Sequence, residues 1–357
     1  MSDRVVWIDN ARGIGIILVV VGHAPVGRSV HEVIFAFHMP LFFVLSGLLA
    51  NRSLDRPLSH HAGRLARTLL VPFATFGAVA LVFDLAMLRV TRGSLPTYQD
   101  AFQDAARIAY GVAEVIPVDN PLWFFPCLFL AAFGSIALVR VFGREAAFAL
   151  TTAATLVLMA YGRPPVRPPW SADSAVVAAW FFQAGMVLGT SLSVRDLDRA
   201  ASRPVAGALA AIAFSVTALI AAANGPTDLN QVVFGNPALY LPGAGFGVAG
   251  VLLLAAALPP FRALRRLSDD SRVIFPLHIL VFSTLQGVAE LLLGMERGWL
   301  WNNGLAAALL FVAAGLAVPI PIAWMLRRIA PWAIGEHPAR AVPNDAAAGD
   351  VRSGQRS

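Results

Sequence analysis

The sequence predicts an all-α integral membrane protein, a polytopic bundle of about ten transmembrane helices. Three observations predict this class. Hydrophobic residues make up 57% of the 357 residues and charged residues only 13%, whereas ordinary soluble domains have about 25% charged residues. The apolar residues form successive runs, each close to the roughly 20 residues that cross a bilayer as a helix. Finally, the arginines are concentrated in alternate connections between these runs.

The runs predict ten spans, at residues 11–29, 33–51, 67–89, 121–141, 146–161, 174–192, 204–223, 238–258, 272–294 and 304–328. The fifth is short, and the eighth is interrupted by Pro242 and several glycines. The first is interrupted by Arg12 and His23 and is followed by further spans, so we expect it to be retained rather than removed as a signal peptide. The long loop after the third span is expected to hold a short amphipathic or re-entrant helix around Tyr98–Val112.

The basic residues orient the bundle. The chain has no lysine, so its 27 basic residues are all arginine. One set of connections holds most of them: Arg4, Arg12, Arg52, Arg56, Arg64, Arg67, Arg140, Arg144, Arg195, Arg199, Arg203, Arg262, Arg265, Arg266, Arg272, Arg327 and Arg328. By the positive-inside rule these connections and both termini are cytoplasmic. The net charge of +6 is then mostly the charge of cytoplasmic loops, and no nucleic-acid partner is needed to explain it.

The first span carries the strongest catalytic candidates. His23 follows Arg12 by eleven residues, which at about 100° per residue places both side chains on one helix face about 16 Å apart. Asp9 falls on nearly the same face and can hold Arg12 in place. Charged groups and imidazoles are costly in lipid, so this face is expected to line a polar interior. The plainer alternative is that Arg12 anchors the interface and His23 satisfies a nearby backbone group.

The second span contains His38 near its external end, followed by Pro40 and the Ser46-Gly47 pair. His38 and His23 are therefore expected to approach each other from adjacent helices. Ser46-Gly47 permits a close helix contact or the approach of a ligand. Ser46 is a poor candidate for a nucleophile, because nothing in the sequence places a base beside it.

Two further segments are candidates for ligand binding. Arg64 and Arg67, three residues apart on one helix face, form a plausible phosphate clamp, although for this segment taken alone positive-inside anchoring is the better explanation. Trp123 opens the fourth span and is either a binding residue or an interfacial anchor. Asp84, Glu290 and His278 also lie within spans, and we assign them no role. Cys127 is the only cysteine, which excludes an intrachain disulfide and a thiolate metal site.

In combination, these segments resemble the membrane-bound acyltransferase 3 family, most closely its fucose 4-O-acetylase-like branch. The resemblance is carried by Arg12-x10-His23, by Phe37-His38-Met-Pro-Leu-Phe-Phe-Val-Leu-Ser-Gly, by Arg64-x-x-Arg67 and by Leu122-Trp-Phe-Phe, with weaker support from Phe275-x-x-His278. It implies that residues 1–330 form the acyltransferase 3-like transmembrane domain. We expect residues 331–357 to be a disordered cytoplasmic tail.

The resemblance implies an integral-membrane O-acyltransferase of the inner (plasma) membrane. The expected donor is acetyl-CoA as a substrate rather than a tightly bound cofactor, and the acceptor is a hydroxyl of a cell-surface or lipid-linked carbohydrate. His23, Arg12, Asp9 and His38 are the catalytic candidates, Arg64, Arg67, Ser46 and Trp123 the donor-binding candidates, and no metal is expected.

Two alternative functions, from other classes of membrane protein, remain open. A polytopic transporter of a small solute or lipid-linked glycan fits the number of spans, the interrupted eighth span and the intramembrane polar residues. An accessory bundle of a polysaccharide assembly complex predicts that His23 can be replaced without loss. Binding of coenzyme A distinguishes the transferase from a transporter.

Overall fold

The computed structural model describes residues 5–191 and 203–336, and within them the regular structure is helical. The α-helices are α1 (Val6–His23), α2 (Arg28–Ala50), α3 (Leu58–Leu65), α4 (Val71–Arg92), α5 (Tyr98–Tyr110), α6 (Phe124–Phe142), α7 (Arg144–Tyr161), α8 (Ala172–Ser191), α9 (Arg203–Asn224), α10 (Pro237–Ala257), α11 (Arg262–Leu291), α12 (Gly304–Ala317) and α13 (Pro319–Ile329). In the described ranges, nine helical stretches are long and apolar enough to cross a membrane. The predicted all-α multi-pass class is confirmed.

The helices refine the predicted spans. The fifth predicted span forms α7, but α7 is not among the nine stretches. The eighth forms α10, which continues through Pro242 without a break. The tenth divides at Val318 into α12 and α13, because Pro319 begins a new helix. The expected loop helix is α5, whose Thr97 and Asp100 form a capping box.

Three glycines allow the central helices to pack at short distance. A Cβ atom at Gly13 would overlap the backbone of Leu264, so α1 and α11 touch there. Of the two possibilities that Ser46-Gly47 left open, Gly47 makes a close helix contact, since a Cβ atom there would overlap the backbone of Phe182 on α8. Gly185 of α8 in turn faces the backbone of Val44. Small residues at these crossings bring α1, α2, α8 and α11 together around the polar interior.

The two ends of the bundle can be defined from this packing. Val44 and Leu48 of α2 meet Gly185 and Gly189 of α8 in the same order, so the two helices run in parallel. Their C-terminal ends, together with the N-terminal ends of α1 and α11, form the arginine-rich end. The N-terminal ends of α2 and α8, with the loops that precede α6, α8 and α10, form the opposite end.

A buried ion-pair network holds the opposite end together. The guanidinium group of Arg167 donates to both carboxylate oxygens of Asp173, at 2.8 and 2.9 Å, and also to Ser174 and Glu114. Ser174 then donates to backbone carbonyls in the loop before α10. Three loops are thereby tied to the start of α8.

Among the described residues, strained non-glycine backbone lies at this same end. The non-glycine residues with positive φ in the described part of the chain are Trp170, Ser171 and Val232. Trp170 donates to the carbonyl of Ala109 at 3.1 Å and Ser171 to that of Gly111 at 3.3 Å. Such conformations persist only where surrounding contacts impose them.

The packed part of the chain extends past residue 330, into the range expected to be a disordered tail. Pro331–Ile334 forms a 3₁₀-helix in which Ala333 and Ile334 are buried. Residues 337–357 and the arginines Arg4, Arg195 and Arg199 used for orientation lie outside the described residues.

Candidate active site

A cavity of about 610 Å³ opens at the arginine-rich end. Its walls come from α1, α2, α3, α6, α8, α11 and α13, from the π-helical turn Ala66–Leu70 and from the segment that follows α13. The volume lies within the range of small-molecule sites. Four predicted site residues line this cavity: Asp9, Arg12, Ser46 and Arg64.

Five arginines line the cavity, and Arg64 is the one best placed to bind a ligand. The five are Arg12, Arg64, Arg266, Arg272 and Arg327. The Nε atom of Arg64 is buried and has no hydrogen-bond partner within the protein. A buried N–H without a partner costs free energy unless a ligand or water accepts from it. An anion in the cavity would supply such an acceptor.

An ion-pair network stabilises the residues around the cavity mouth. Asp270 is fully buried and is paired with both Arg266 and Arg327, and Arg327 also pairs with Glu336. Arg272 donates to the backbone carbonyl of Ile334 at 3.1 Å. The segment after α13 is therefore fixed against α11 and forms part of the wall.

The roles of these α11 and α13 arginines were missed by the sequence reasoning. The α11 arginines belong to a basic cluster, Arg262–Arg272, and Arg327 belongs to the pair Arg327-Arg328; the positive-inside rule already explained both. The sequence did hold one signal. Asp269 and Asp270 lie within the α11 cluster, and membrane topology alone does not require acidic residues there, so they indicate ion pairs with these arginines.

Two predicted donor-binding residues lie elsewhere. Arg67 is exposed and is not in the cavity lining. Trp123 is buried in the 3₁₀-helix Asn120–Trp123, also outside the lining. The structure therefore places Arg64 in the cavity lining and Arg67 outside it, although they are only three residues apart.

Three histidines from three helices meet beyond the inner end of the cavity. The ring centroid of His23 lies 6.4 Å from that of His38 and 5.0 Å from that of His278. His38 and His278 are almost fully buried, with 2% and 0% exposure. The predicted approach of His23 and His38 is present, and His278 joins them from α11.

Hydrogen bonds to the backbone orient all three rings. The Nδ1 atoms of His23 and His38 lie 2.9 and 2.8 Å from the carbonyl oxygens of Val19 and Ile34. The Nδ1 atom of His278 lies 2.6 Å from the carbonyl oxygen of Phe275. A carbonyl oxygen only accepts, so each Nδ1 carries the hydrogen and each neutral ring keeps its Nε2 lone pair free to accept a proton. In His278 this Nε2 is buried without a partner.

The arrangement does not favour a metal ion. In residues 5–191 and 203–336, no group of three or more His, Cys, Asp or Glu side chains has a geometry that could hold one. The free Nε2 atoms are suited instead to proton transfer with a hydroxyl group.

Several other polar groups lie outside both the cavity and the histidine cluster. Glu290 accepts from the backbone N–H of Gly298 at 2.9 Å and so fixes the loop after α11. Asp84 is partly buried on α4. Asp119, which the sequence reasoning did not single out, is fully buried with no partner for either carboxylate oxygen. Burial raises the pKa of Asp119 well above its ordinary value.

The comparison with protein families decides the identity of the chain. The family model of the acyltransferase domain matches residues 5–326. The chain belongs to the acyltransferase 3 family. No curated protein and no solved structure matches it. The acyltransferase 3 match covers every cavity-lining residue except Arg327 and Glu336, and it includes all three clustered histidines. The protein is therefore a multi-pass membrane acyltransferase.

Proposed function

We propose that this acyltransferase moves an acetyl group from acetyl-CoA to a hydroxyl of a cell-surface or lipid-linked carbohydrate, as in the fucose 4-O-acetylase-like branch of the family. One observation carries the proposal: an arginine-lined cavity ends close to three imidazoles whose Nε2 atoms are free. The first feature suits a polyanionic donor, and the second suits removal of a proton from an alcohol.

The donor would occupy the cavity with its phosphates at the mouth. Arg64 and Arg272 offer guanidinium groups that suit phosphate oxygens. The inner wall is apolar, with Ile16 and Leu45 among its residues, and suits the thioester-bearing arm. Arg12 lies about 16 Å from His23 along α1, so it is better placed to hold the donor arm than to polarise the reacting carbonyl.

The proposed reaction needs no covalent enzyme intermediate. The Nε2 atom of His23 accepts the proton of the acceptor hydroxyl as the oxygen attacks the thioester carbon. The new C–O bond forms, the C–S bond breaks, and the coenzyme A thiolate leaves and takes the proton from His23. The Nε2 atoms of His38 and His278 only accept in this tautomer, so they can bind other hydroxyl groups of the carbohydrate and hold it in place while the attacking hydroxyl donates to His23.

The distribution of arginine supports the orientation. With the arginine-rich end in the cytoplasm of the plasma (inner) membrane, the cavity faces the compartment that supplies acetyl-CoA. The acceptor then approaches the histidines from the opposite end, where His31 and Phe35 of α2 stack beside His23.

The structure removes one argument for the transporter alternative. It relied in part on an interrupted eighth span, because discontinuous helices are typical of transporter binding sites. In the structure α10 is continuous.

The test is acyl transfer by the purified protein in lipid nanodiscs. We expect acetyl-CoA to bind and free thiol to appear when a carbohydrate acceptor is added, with O-acetyl groups then detected on the acceptor by mass spectrometry. Cells lacking the protein should lose O-acetyl groups from their surface glycans. A protein that binds neither acetyl-CoA nor coenzyme A would contradict the proposed donor.

A further inference from the structure

Three phenylalanine rings separate the cavity from the histidine cluster. Phe42 of α2, Phe124 of α6 and Phe275 of α11 all line the inner end of the cavity. Their ring centroids lie 6.0 Å apart for Phe42 and Phe124 and 5.0 Å apart for Phe124 and Phe275. We call these three residues the aromatic layer.

The helical register places the aromatic layer about one helical turn nearer to the arginine-rich end than the imidazoles. Phe42 follows His38 by four residues and Phe275 precedes His278 by three, which correspond to about 6 and 4.5 Å along the helix axes. The ring centroid of Phe275 is 6.3 Å from that of His278. The histidines themselves are absent from the cavity lining.

Acyl transfer requires the acyl carbon to lie past the aromatic layer, closer to His23 than the cavity reaches in this structure. A reacting oxygen and carbon must come within about 3–3.5 Å of each other. A hydroxyl held by His23 is one helical turn past the aromatic layer, so the thioester end of the donor must pass between these rings. The acyl group then lies in the narrow space between the aromatic layer and the imidazoles.

We propose that the aromatic layer sets the upper length of the acyl group that this enzyme transfers, so that acetyl is accepted and longer acyl chains are excluded. The inference rests on the proposed function and adds the residues that determine donor specificity. Phe124 and Phe275 are 7% and 5% exposed, so their rings fill the space that a longer chain would need. In a closely packed site, one additional methylene group is worth roughly 10–200-fold in discrimination.

Phe275 is the member of the layer to test first. It packs closest to the imidazoles, and leucine at this position removes ring volume while keeping an apolar side chain in the core. Phe42→Leu tests the same idea from another helix. The matched control is Phe282→Leu, because the ring of Phe282 lies 5.7 Å from His278 on the side away from the cavity.

The experiment measures kcat/KM for acetyl-, butyryl- and hexanoyl-CoA with one carbohydrate acceptor, using full-length protein in nanodiscs. For the wild type we expect acetyl-CoA to be preferred over butyryl-CoA by at least about 10-fold. Phe275→Leu and Phe42→Leu should reduce this preference about 10-fold or more, while Phe282→Leu keeps it within about twofold.

The outcomes separate this inference from the function on which it rests. Wild-type protein that uses hexanoyl-CoA as well as acetyl-CoA would overturn the length limit and leave acyl transfer intact, and this result needs no variant. An unchanged preference in a folded layer variant, or an equal change in Phe282→Leu, would overturn the role of the aromatic layer. If the wild type releases coenzyme A from none of the three donors, the proposed function itself is wrong and the inference fails with it.

Discussion

Two regions of this membrane protein contain an arginine with a buried guanidinium nitrogen, and they use it differently. At the opposite end, Arg167 has 5% side-chain exposure and its guanidinium group is occupied by Asp173, Glu114 and Ser174. At the arginine-rich end, Arg64 faces an open cavity and its buried Nε has no protein partner. Arg167 is buried and Arg64 is half-buried. The functional difference lies in hydrogen bonding, and the buried Nε without a protein partner is the reason for proposing that Arg64 binds a ligand.

The largest effect expected from this contrast is loss of stability on removing the paired arginine. Arg167→Gln leaves the carboxylate of Asp173 buried without its cation, which should lower the free energy of unfolding by about 3–5 kcal/mol. Arg163→Gln is the matched control, because Arg163 pairs with the same Glu114 but is 43% exposed, and an exposed pair is worth about 0–1 kcal/mol. Chemical unfolding in detergent measures both. Equal stability of the two variants would show that the network is not structural.

A smaller effect at the same end should depend on pH. Burial raises the pKa of Asp228 to about 6 from an ordinary value of 3.8. The folded state therefore binds more protons than the unfolded state between these values, so stability falls as pH rises through about 6, by at most about 3 kcal/mol. Asp228→Asn keeps an oxygen for the backbone N–H groups of Asn230 and Gln231, and should flatten the profile. Unfolding midpoints from pH 4.5 to 8 test this, and a variant with the wild-type slope would assign the dependence to another group.

The cavity arginine should affect donor binding rather than folding. Arg64→Gln removes a charged hydrogen bond to the donor, so the KM for acetyl-CoA should rise roughly 10–100-fold with little change in kcat. The free energy of unfolding should stay within about 0.5 kcal/mol of the wild type. The control is Arg265→Gln, which removes the same charge from an exposed position at the same end. Steady-state kinetics with varied acetyl-CoA give both constants.

Arg67→Gln sharpens the same comparison. The sequence motif places Arg67 with Arg64, whereas the structure leaves Arg67 on the exposed surface. If Arg67→Gln raises KM as much as Arg64→Gln does, the donor reaches beyond the cavity and the motif was the better guide. If the KM of the Arg265→Gln control rises equally, bulk charge attracts the donor and no individual arginine binds it.

Local periodicity was sufficient to predict much of the fold and part of the site. The apolar runs predicted the membrane helices because each run satisfies its own backbone hydrogen bonds within one helix. The spacing of Arg12 and His23 predicted one shared face, and in the structure Arg12 lines the cavity while His23 continues that face toward α11. The meeting of His23 with His38 followed from the short connection between two adjacent helices.

The remaining site residues depend on packing between distant segments. His278 is 255 positions after His23, and only the α1–α11 contact at Gly13 explains how they come together. The basic residues Arg272 and Arg327 could not be separated from topological charge, since the positive-inside rule and phosphate binding select the same residue type. The burial of Asp119 follows from how its loop folds back into the bundle, which has no periodic signature.

The central claim is that His23 accepts the proton during acyl transfer, and the turnover number of His23→Ala tests it most directly. With acetyl-CoA and acceptor at saturation, we expect kcat to fall roughly 10²–10⁴-fold while the KM for acetyl-CoA stays close to that of the wild type. His60→Ala, an exposed histidine on α3, should keep the wild-type kcat. A correctly inserted His23→Ala protein that turns over at nearly the wild-type rate would contradict the account.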